Sequence, residues 1–105
     1  VYLIRAEARA RKASPDIEGA QSDLNVVRTR AGLPATTAAT TAALVTAIEN
    51  ERRVELAHEG HRWFDLRRYD KIASLGVTEP FRALWPIPLR EVQTSAGIVE
   101  QNDGY

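Results

Sequence analysis

Cysteine is absent from this 105-residue chain. Disulfides, thiolate metal sites and thiol nucleophiles are therefore excluded, and cysteine usage leaves the redox compartment undetermined. Long apolar runs are also absent, since none approaches the roughly 20 residues that a membrane-spanning helix needs. No signal peptide is visible. The sequence has to be understood from its charges and its short apolar stripes.

An excess of charge of one sign is missing as well. Fourteen Lys and Arg residues balance fourteen Asp and Glu residues. Such a balance gives no electrostatic footprint for nucleic acid or an anionic membrane, and no nucleic-acid partner is expected. Only Lys12 and Lys71 are lysines. The other cations are arginines, which suit fixed, bidentate and partly buried ion pairs.

The apolar residues recur at helical spacing from the first residue. Residues 1–13, VYLIRAEARARKA, predict a helix that is apolar on two sides, which indicates a piece of a longer protein. Residues 17–30 predict a second helix, with Ser14 or Asp16 as its N-cap and Gly32 just after its end. The short connection predicts that the two helices pack antiparallel.

A third helix follows a connector rich in Ala and Thr. Thr40 or Thr41 is its expected N-cap, Gly60 is expected to break it, and residues 61–69 predict a shorter helix beyond. No alternating strand pattern of useful length appears. The sequence thus predicts an all-α single domain over residues 1–105, with an irregular C-terminal segment shaped by Pro80, Pro86 and Pro88.

Residues 50–68, NERRVELAHEGHRWFDLRR, carry an unusual density of charge. On a helical wheel Arg52, Glu55 and Glu59 fall within the apolar arc of the third helix, whereas Arg53 points away. Burying such groups unpaired is very unfavourable, so they must meet opposite charges. The sequence therefore predicts a buried structural ion network whose members are Arg28, Glu51, Arg52, Glu55, Glu59, Arg62 and Arg67.

The pairing within this network follows from spacing. Arg52 and Glu55 are three residues apart and are expected to pair with each other. The remaining glutamates need cations from elsewhere. Arg28 lies at the edge of the apolar stripe of the second helix and is the preferred partner, whereas Arg30 is expected to point away from that stripe.

A catalytic interpretation of the same stretch is weaker. His58 and His61 are three residues apart with Gly60 between them, whereas the zinc-protease helix needs two His four residues apart. Glu55 and Glu59 form a possible glycosidase pair only in principle, because such carboxylate separations are common. No catalytic residue, no metal and no cofactor is expected.

The seven aromatic residues are expected to serve packing. Three lie on predicted helices and are assigned to the core: Tyr2, Trp63 and Phe64. Trp85 is expected to dock the proline segment. The other three are scattered and do not make one platform for a sugar ring: Tyr69, Phe81 and Tyr105. By itself, the chain is expected to bind oligosaccharide weakly or not at all.

Five blocks of sequence resemble, in this order, the C-terminal region of the SusD/RagB family. They are YLIRAEARAR, LNVVRTRAGL, NERRVELAHEGHRWFDLRRYD, LWPIPLREV and VEQNDGY, and they span Tyr2 to Tyr105. Two positions depart from the family pattern. Asp103 stands where the family often has proline, and His58 stands where a bulky aromatic residue is common.

The resemblance implies a surface lipoprotein of the outer membrane in Bacteroidetes-type bacteria. Such proteins capture glycans or other nutrients and act as a lid on a SusC-like TonB-dependent transporter. Their helical fold contains tetratricopeptide-like helix pairs, in agreement with the predicted hairpin. The family's sugar-contacting aromatics lie largely on loops outside these blocks, so the chain is expected to be a non-enzymatic scaffold, with the glycan contacts and the lipid anchor in a missing part.

Two other functions stay open from the sequence. One is a generic tetratricopeptide-like module for protein interaction, which shares the predicted helix hairpin. The other is a small metal-dependent or carboxylate-dependent hydrolase, which would use the His58 to His61 region. Binding to a panel of polysaccharides separates the first from a glycan-capturing protein, and metal analysis separates the second.

Overall fold

A computed structural model describes residues 1–105, and its regular structure is entirely helical. The helices are α1 (Tyr2–Arg11), α2 (Ile17–Arg30), α3 (Thr41–Glu55), α4 (His61–Arg68) and α5 (Leu89–Thr94), with 3-10 helices at Ile72–Leu75 and Pro80–Ala83. The all-α prediction is confirmed. The tetratricopeptide-like character of the first helix pair stays a prediction. None of the helices has the length and apolar character needed to cross a membrane.

The chain divides into two compact units, Val1–Arg62 and Trp63–Tyr105. The first unit has a core of apolar side chains from α1, α2 and α3. The buried members of this core are Leu3, Ala6, Ala10, Ala20, Leu24, Val27, Leu44 and Ile48. The small alanines let α1 and α2 approach closely. Each of the large side chains contributes about 1.5–3 kcal/mol by leaving water.

Local capping chemistry sets where α2 and α3 begin. Asp16 accepts a hydrogen bond from the backbone N–H of Gly19, with 2.9 Å between nitrogen and oxygen. The Thr40 hydroxyl accepts one from the N–H of Ala43 at 3.2 Å. Each cap satisfies one of the free N–H groups at a helix start. After α2, Gly32 adopts the left-handed conformation, with φ of 72°, that its position in the sequence predicts.

The third helix ends earlier than the sequence predicts. α3 stops at Glu55, and residues 56–60 form a turn in which His58 has φ of 66° and Gly60 has φ of 76°. Left-handed backbone at two positions is incompatible with a continuing helix. The predicted interruption therefore spans a whole turn, and α4 starts directly after Gly60.

The second unit buries little apolar surface of its own. Among its apolar side chains only Leu66 and Ile72 are buried. On α4, Asp65 is also buried, and one of its carboxylate oxygens lies 2.9 Å from Arg68. Short helical turns and extended proline segments make up the remainder. This unit depends on hydrogen bonds and aromatic contacts more than on a packed core.

Candidate functional site

Asp23 is a buried carboxylate of the first unit that was not predicted from the sequence. Asp23 is 3% exposed, and its carboxylate accepts hydrogen bonds from Arg5 Nε at 2.8 Å, Arg5 Nη2 at 2.6 Å and Arg9 Nη1 at 2.8 Å. Hydrogen bonding from Arg5 lowers the pKa of Asp23; burial opposes this, and the charges of Arg5 and Arg9 add to it. The spacing of Arg5 and Arg9 could have indicated a buried carboxylate partner, because residues four apart lie on one face of α1.

The structure brings Arg28 and Glu51 together. Arg28 Nη1 lies 2.8 Å from Glu51 Oε2, and Arg28 Nε donates to the carbonyl of Pro34 at 2.8 Å. Glu51 is buried on α3 and Arg28 lies near the end of α2. This pair therefore connects two helices and also fixes the start of the connector between them.

Glu55 has a partner that spacing along α3 did not predict. Arg30 forms the ion pair with Glu55, although Arg30 is exposed and was not among the predicted partners. The reason is that Arg30 lies in the last turn of α2, where a long side chain can reach the end of α3. Arg52 is 8% exposed and Arg53 is exposed, as the helical wheel predicts.

Two members of the predicted network lie at the surface. Glu59 is exposed because α3 ends before it, so its position on the extrapolated wheel does not apply. Arg67 is exposed on α4. Arg62 does form an ion pair, but with the buried Glu49, at 3.3 Å between Nη1 and Oε1. Glu49 was not in the predicted network.

The histidines do not converge on a site. His58 lies in the turn after α3, His61 begins α4, and both are exposed. No group of three or more His, Asp or Glu side chains is placed to hold a metal ion. Glu55 and Glu59 are separated by the end of α3, so they do not share a helical face as a glycosidase pair would need.

Several aromatic side chains lie elsewhere than the sequence predicts. Phe64 is 63% exposed and Tyr2 is exposed, so neither is a core residue. The buried positions are instead Leu3, Ala6, Glu7 and Ala10 on α1, and Asp65 and Leu66 on α4. Phe81 and Tyr105, expected to be scattered, are in edge contact with ring centroids 5.1 Å apart.

Three aromatic residues of the second unit line one cleft: Trp63, Trp85 and Tyr105. Trp63 and Trp85 meet edge to face, with centroids 6.1 Å apart and planes at 66°. The cleft, here called the aromatic cleft, has a volume of about 420 Å³ and is lined by Trp63, Arg82, Leu84, Trp85, Pro86 and Tyr105. Its walls are nearly all apolar. Trp85 is 69% exposed and was expected to serve packing alone.

The C-terminal segment holds the cleft in shape through side chains that bond to backbone. Gln101 Oε1 accepts from the N–H of Ile87 at 2.7 Å, and Gln101 Nε2 donates to the same residue's carbonyl at 2.8 Å. Asn102 Nδ2 donates to the carbonyl of Trp85 at 2.8 Å. The Tyr105 hydroxyl donates to the carbonyl of Leu84 at 2.9 Å. These bonds, here called the C-terminal clamp, join residues 84–87 to residues 101–105.

Comparison with known proteins decides the family. The sequence profile of the SusD family matches residues 1–78. The chain belongs to the SusD family. The resemblance of the five sequence blocks to that family is thereby confirmed. No curated protein sequence matches the chain.

A solved SusD structure extends the similarity along the whole chain. The crystal structure of a SusD-like protein from Bacteroides fragilis NCTC 9343 superposes with a TM-score of 0.81 at 31% sequence identity. The match covers 99% of this SusD-family chain and 24% of the other. The chain thus spans about a quarter of the length of that relative.

Proposed function

We propose that this SusD-family chain is a non-enzymatic scaffold segment of a surface lipoprotein of the outer membrane. That lipoprotein captures glycans or other nutrients and acts with a SusC-like TonB-dependent transporter. The observation that carries the proposal is the structural match to a SusD-like protein over 99% of the chain. In this role the lipid anchor and the main glycan contacts belong to other parts of the protein.

The ion pairs of the first unit support a scaffold role. Asp23 connects α2 to α1, and Glu51 connects α3 to α2. Both carboxylates are buried and each faces an arginine, an arrangement that fixes the geometry between helices. A catalytic carboxylate is instead kept within reach of a substrate. The buried charges of this unit are therefore assigned to structure.

The transporter partnership is testable in the native bacterium. An affinity-tagged form of the protein that contains this chain is purified from outer membranes, and the co-purifying proteins are identified by mass spectrometry. A TonB-dependent transporter is expected in about equal amount. The control is the same preparation from cells that lack the tag. Recovery of the tagged protein from outer membranes without any such transporter contradicts the proposal.

The second candidate is a tetratricopeptide-like module for protein interaction. One observation favours it, namely that the apolar side chain of Ile4 leaves part of one edge of α1 exposed. Such an edge suits a neighbouring helix. Solid-phase binding to a polysaccharide panel separates the two functions, because a module of this kind binds none of the polysaccharides.

A further inference from the structure

We propose that the aromatic cleft binds a sugar ring that carries a carboxylate, such as a uronic acid unit of an acidic glycan. The inference rests on the proposed function, since it assigns a glycan class to this segment of a glycan-capturing protein. It goes beyond that function by giving the segment a contact of its own with sugar. Three properties of the cleft carry it: its rings, its rigidity and its single charge.

The rings give the cleft its affinity for a sugar face. A cleft of about 420 Å³ is within the usual range for small-ligand sites. One face of a pyranose ring presents mainly C–H groups, which are weakly positive and pack against the negative face of an aromatic ring. Trp85 offers such a ring, which is largely exposed, while Trp63 and Tyr105 bound the same cleft.

The rigidity of the cleft reduces the entropy that binding would cost. The edge contact with Trp63 supports the Trp85 ring from one side. The C-terminal clamp holds the backbone of the same segment through Gln101, Asn102 and Tyr105. A ring that is already held in place loses little conformational freedom when a ligand arrives.

The charge of the cleft selects among sugars. Arg82 is the only charged residue that lines it, and its side chain is exposed to solvent. Its guanidinium lies 5.4 Å from the centroid of the Phe81 ring, which leaves its donors available. A guanidinium binds a carboxylate through two parallel hydrogen bonds. A carboxylate on the sugar complements this group, whereas a neutral sugar leaves it unpaired.

The cleft is fitted to bind a glycan and not to cleave it. Glycoside hydrolysis uses a pair of carboxylic acids on either side of the scissile bond. None of the residues that line the cleft is an Asp or a Glu. The inference is therefore a capture site, in agreement with a non-enzymatic protein.

The two tryptophans of the chain make the test direct, because both line the cleft. The probe is a trimer of galacturonic acid, and the matched control ligand is its methyl ester, which keeps the rings and removes the charge. Binding is followed by NMR through the two indole N–H signals. We expect the acid trimer to shift both signals with a dissociation constant of about a millimolar. The ester is expected to bind about two to five times more weakly.

Two variants and two controls assign the contacts. Trp85→Ala is expected to weaken binding about tenfold or more, followed through the remaining indole signal of Trp63. Arg82→Gln is expected to make the acid and the ester bind equally. Phe64→Ala and Arg90→Gln remove an exposed ring and an exposed arginine that do not line the cleft, and both should bind as the unchanged protein does. Circular dichroism verifies that each variant is folded.

The inference is overturned if the acid trimer leaves both indole signals unchanged. It is also overturned if Arg90→Gln lowers the affinity as much as Arg82→Gln does, or if acid and ester bind equally to the unchanged protein. Such a failure is distinct from failure of the proposed function. A protein that still co-purifies with its transporter but ignores the acid trimer contradicts only the cleft.

Discussion

At the scale of single residues, Asp23 shows how one carboxylate can hold two helices. It lies on α2 and receives three hydrogen bonds from Arg5 and Arg9 of α1. The bond from Arg5 is bidentate, the geometry in which arginine is strongest. Arg5 and Arg9 remain partly exposed to water, whereas Asp23 is buried. The carboxylate of Asp23 therefore depends on these hydrogen bonds more than the two arginines do.

Removing the Asp23 charge should destabilise the first unit. Asp23→Asn keeps the size of the side chain but weakens all three hydrogen bonds, at a cost of about 1–3 kcal/mol. Urea denaturation measures the change in the free energy of unfolding. Asp103→Asn is the matched control, because Asp103 is exposed and should change stability by no more than about 0.5 kcal/mol. Equal midpoints for the two variants would rule out this role for Asp23.

The same residue predicts a pH dependence. The pKa of Asp23 is lower in the folded protein than in the unfolded chain, so the unfolded chain binds more protons as the pH falls. The stabilisation is therefore complete above the unfolded pKa of about 3.9 and disappears as the pH falls through the lower, folded value. The stability gap between the unchanged protein and Asp23→Asn should close over that range. A gap that stays constant on acidification contradicts the prediction.

Neighbouring arginines on α3 should differ sharply in their effect on stability. Arg52 is buried and Arg53 is exposed. A buried charge must have its interactions satisfied, and removing it can cost as much as breaking a buried ion pair, about 3–5 kcal/mol, whereas an exposed charge contributes close to nothing. Arg52→Ala should therefore lower the denaturation midpoint far more than Arg53→Ala. Indistinguishable midpoints would show that the buried side chain of Arg52 contributes no more to the stability of the fold than the exposed side chain of Arg53.

At the scale of elements, the C-terminal clamp replaces a regular hydrogen-bonded ladder. Side chains of Gln101, Asn102 and Tyr105 take the place of backbone partners for residues 84–87. Buried backbone groups need such partners wherever proline prevents a helix or a strand. The clamp also ties Tyr105 to the carbonyl of Leu84, and both residues line the aromatic cleft.

Gly104 precedes Tyr105 of the C-terminal clamp, at a position where any added side chain would be strained. Its φ is 92°, and a Cβ at this position would lie 2.4 Å from Cγ of Phe81. Gly97 is a matched control, since its φ is 84° but an added Cβ would meet nothing within 4 Å. Gly97→Ala should cost about 1–2 kcal/mol from backbone strain alone. Gly104→Ala should cost about 1–3 kcal/mol more because of overpacking, measured by thermal unfolding.

The comparison between these two glycines separates strain from packing. Because both adopt left-handed backbone, any difference between the alanine variants reports the contact with Phe81. Edge contact between Phe81 and Tyr105 should also weaken in Gly104→Ala, with shifted ring signals in NMR spectra. Equal losses of stability in the two variants would mean that Phe81 moves aside at no cost.

At the scale of the whole molecule, the two units differ in what holds each of them together. The first has eight buried apolar residues in one cluster, whereas the second buries only Leu66 and Ile72 among its apolar residues. Local stability follows the amount of buried apolar contact. We therefore expect amide hydrogen exchange to be slowest in α1, α2 and α3, and clearly faster over residues 63–105. Uniform protection along the chain would contradict this expectation.

The sequence by itself determined the features that depend on nearby residues. The helix starts at Asp16 and Thr40 and the left-handed Gly32 follow from groups within four residues of each other. The burial of Arg52 and the exposure of Arg53 follow from helical periodicity within α3. The family could also be found from the order of five short blocks, because each block preserves local chemistry.

Only the tertiary structure decided the contacts between charges and between rings that spacing along the sequence did not indicate. Arg30 pairs with Glu55 across 25 positions of sequence, and Phe81 contacts Tyr105 at the end of the chain described. The physical reason is that long side chains reach partners according to where helices end and how they pack. Because α3 ends at Glu55, Glu59 lies at the surface and not in the buried ion network that the sequence predicts. The aromatic cleft exists for the same reason, because the C-terminal clamp brings together rings that lie far apart in sequence.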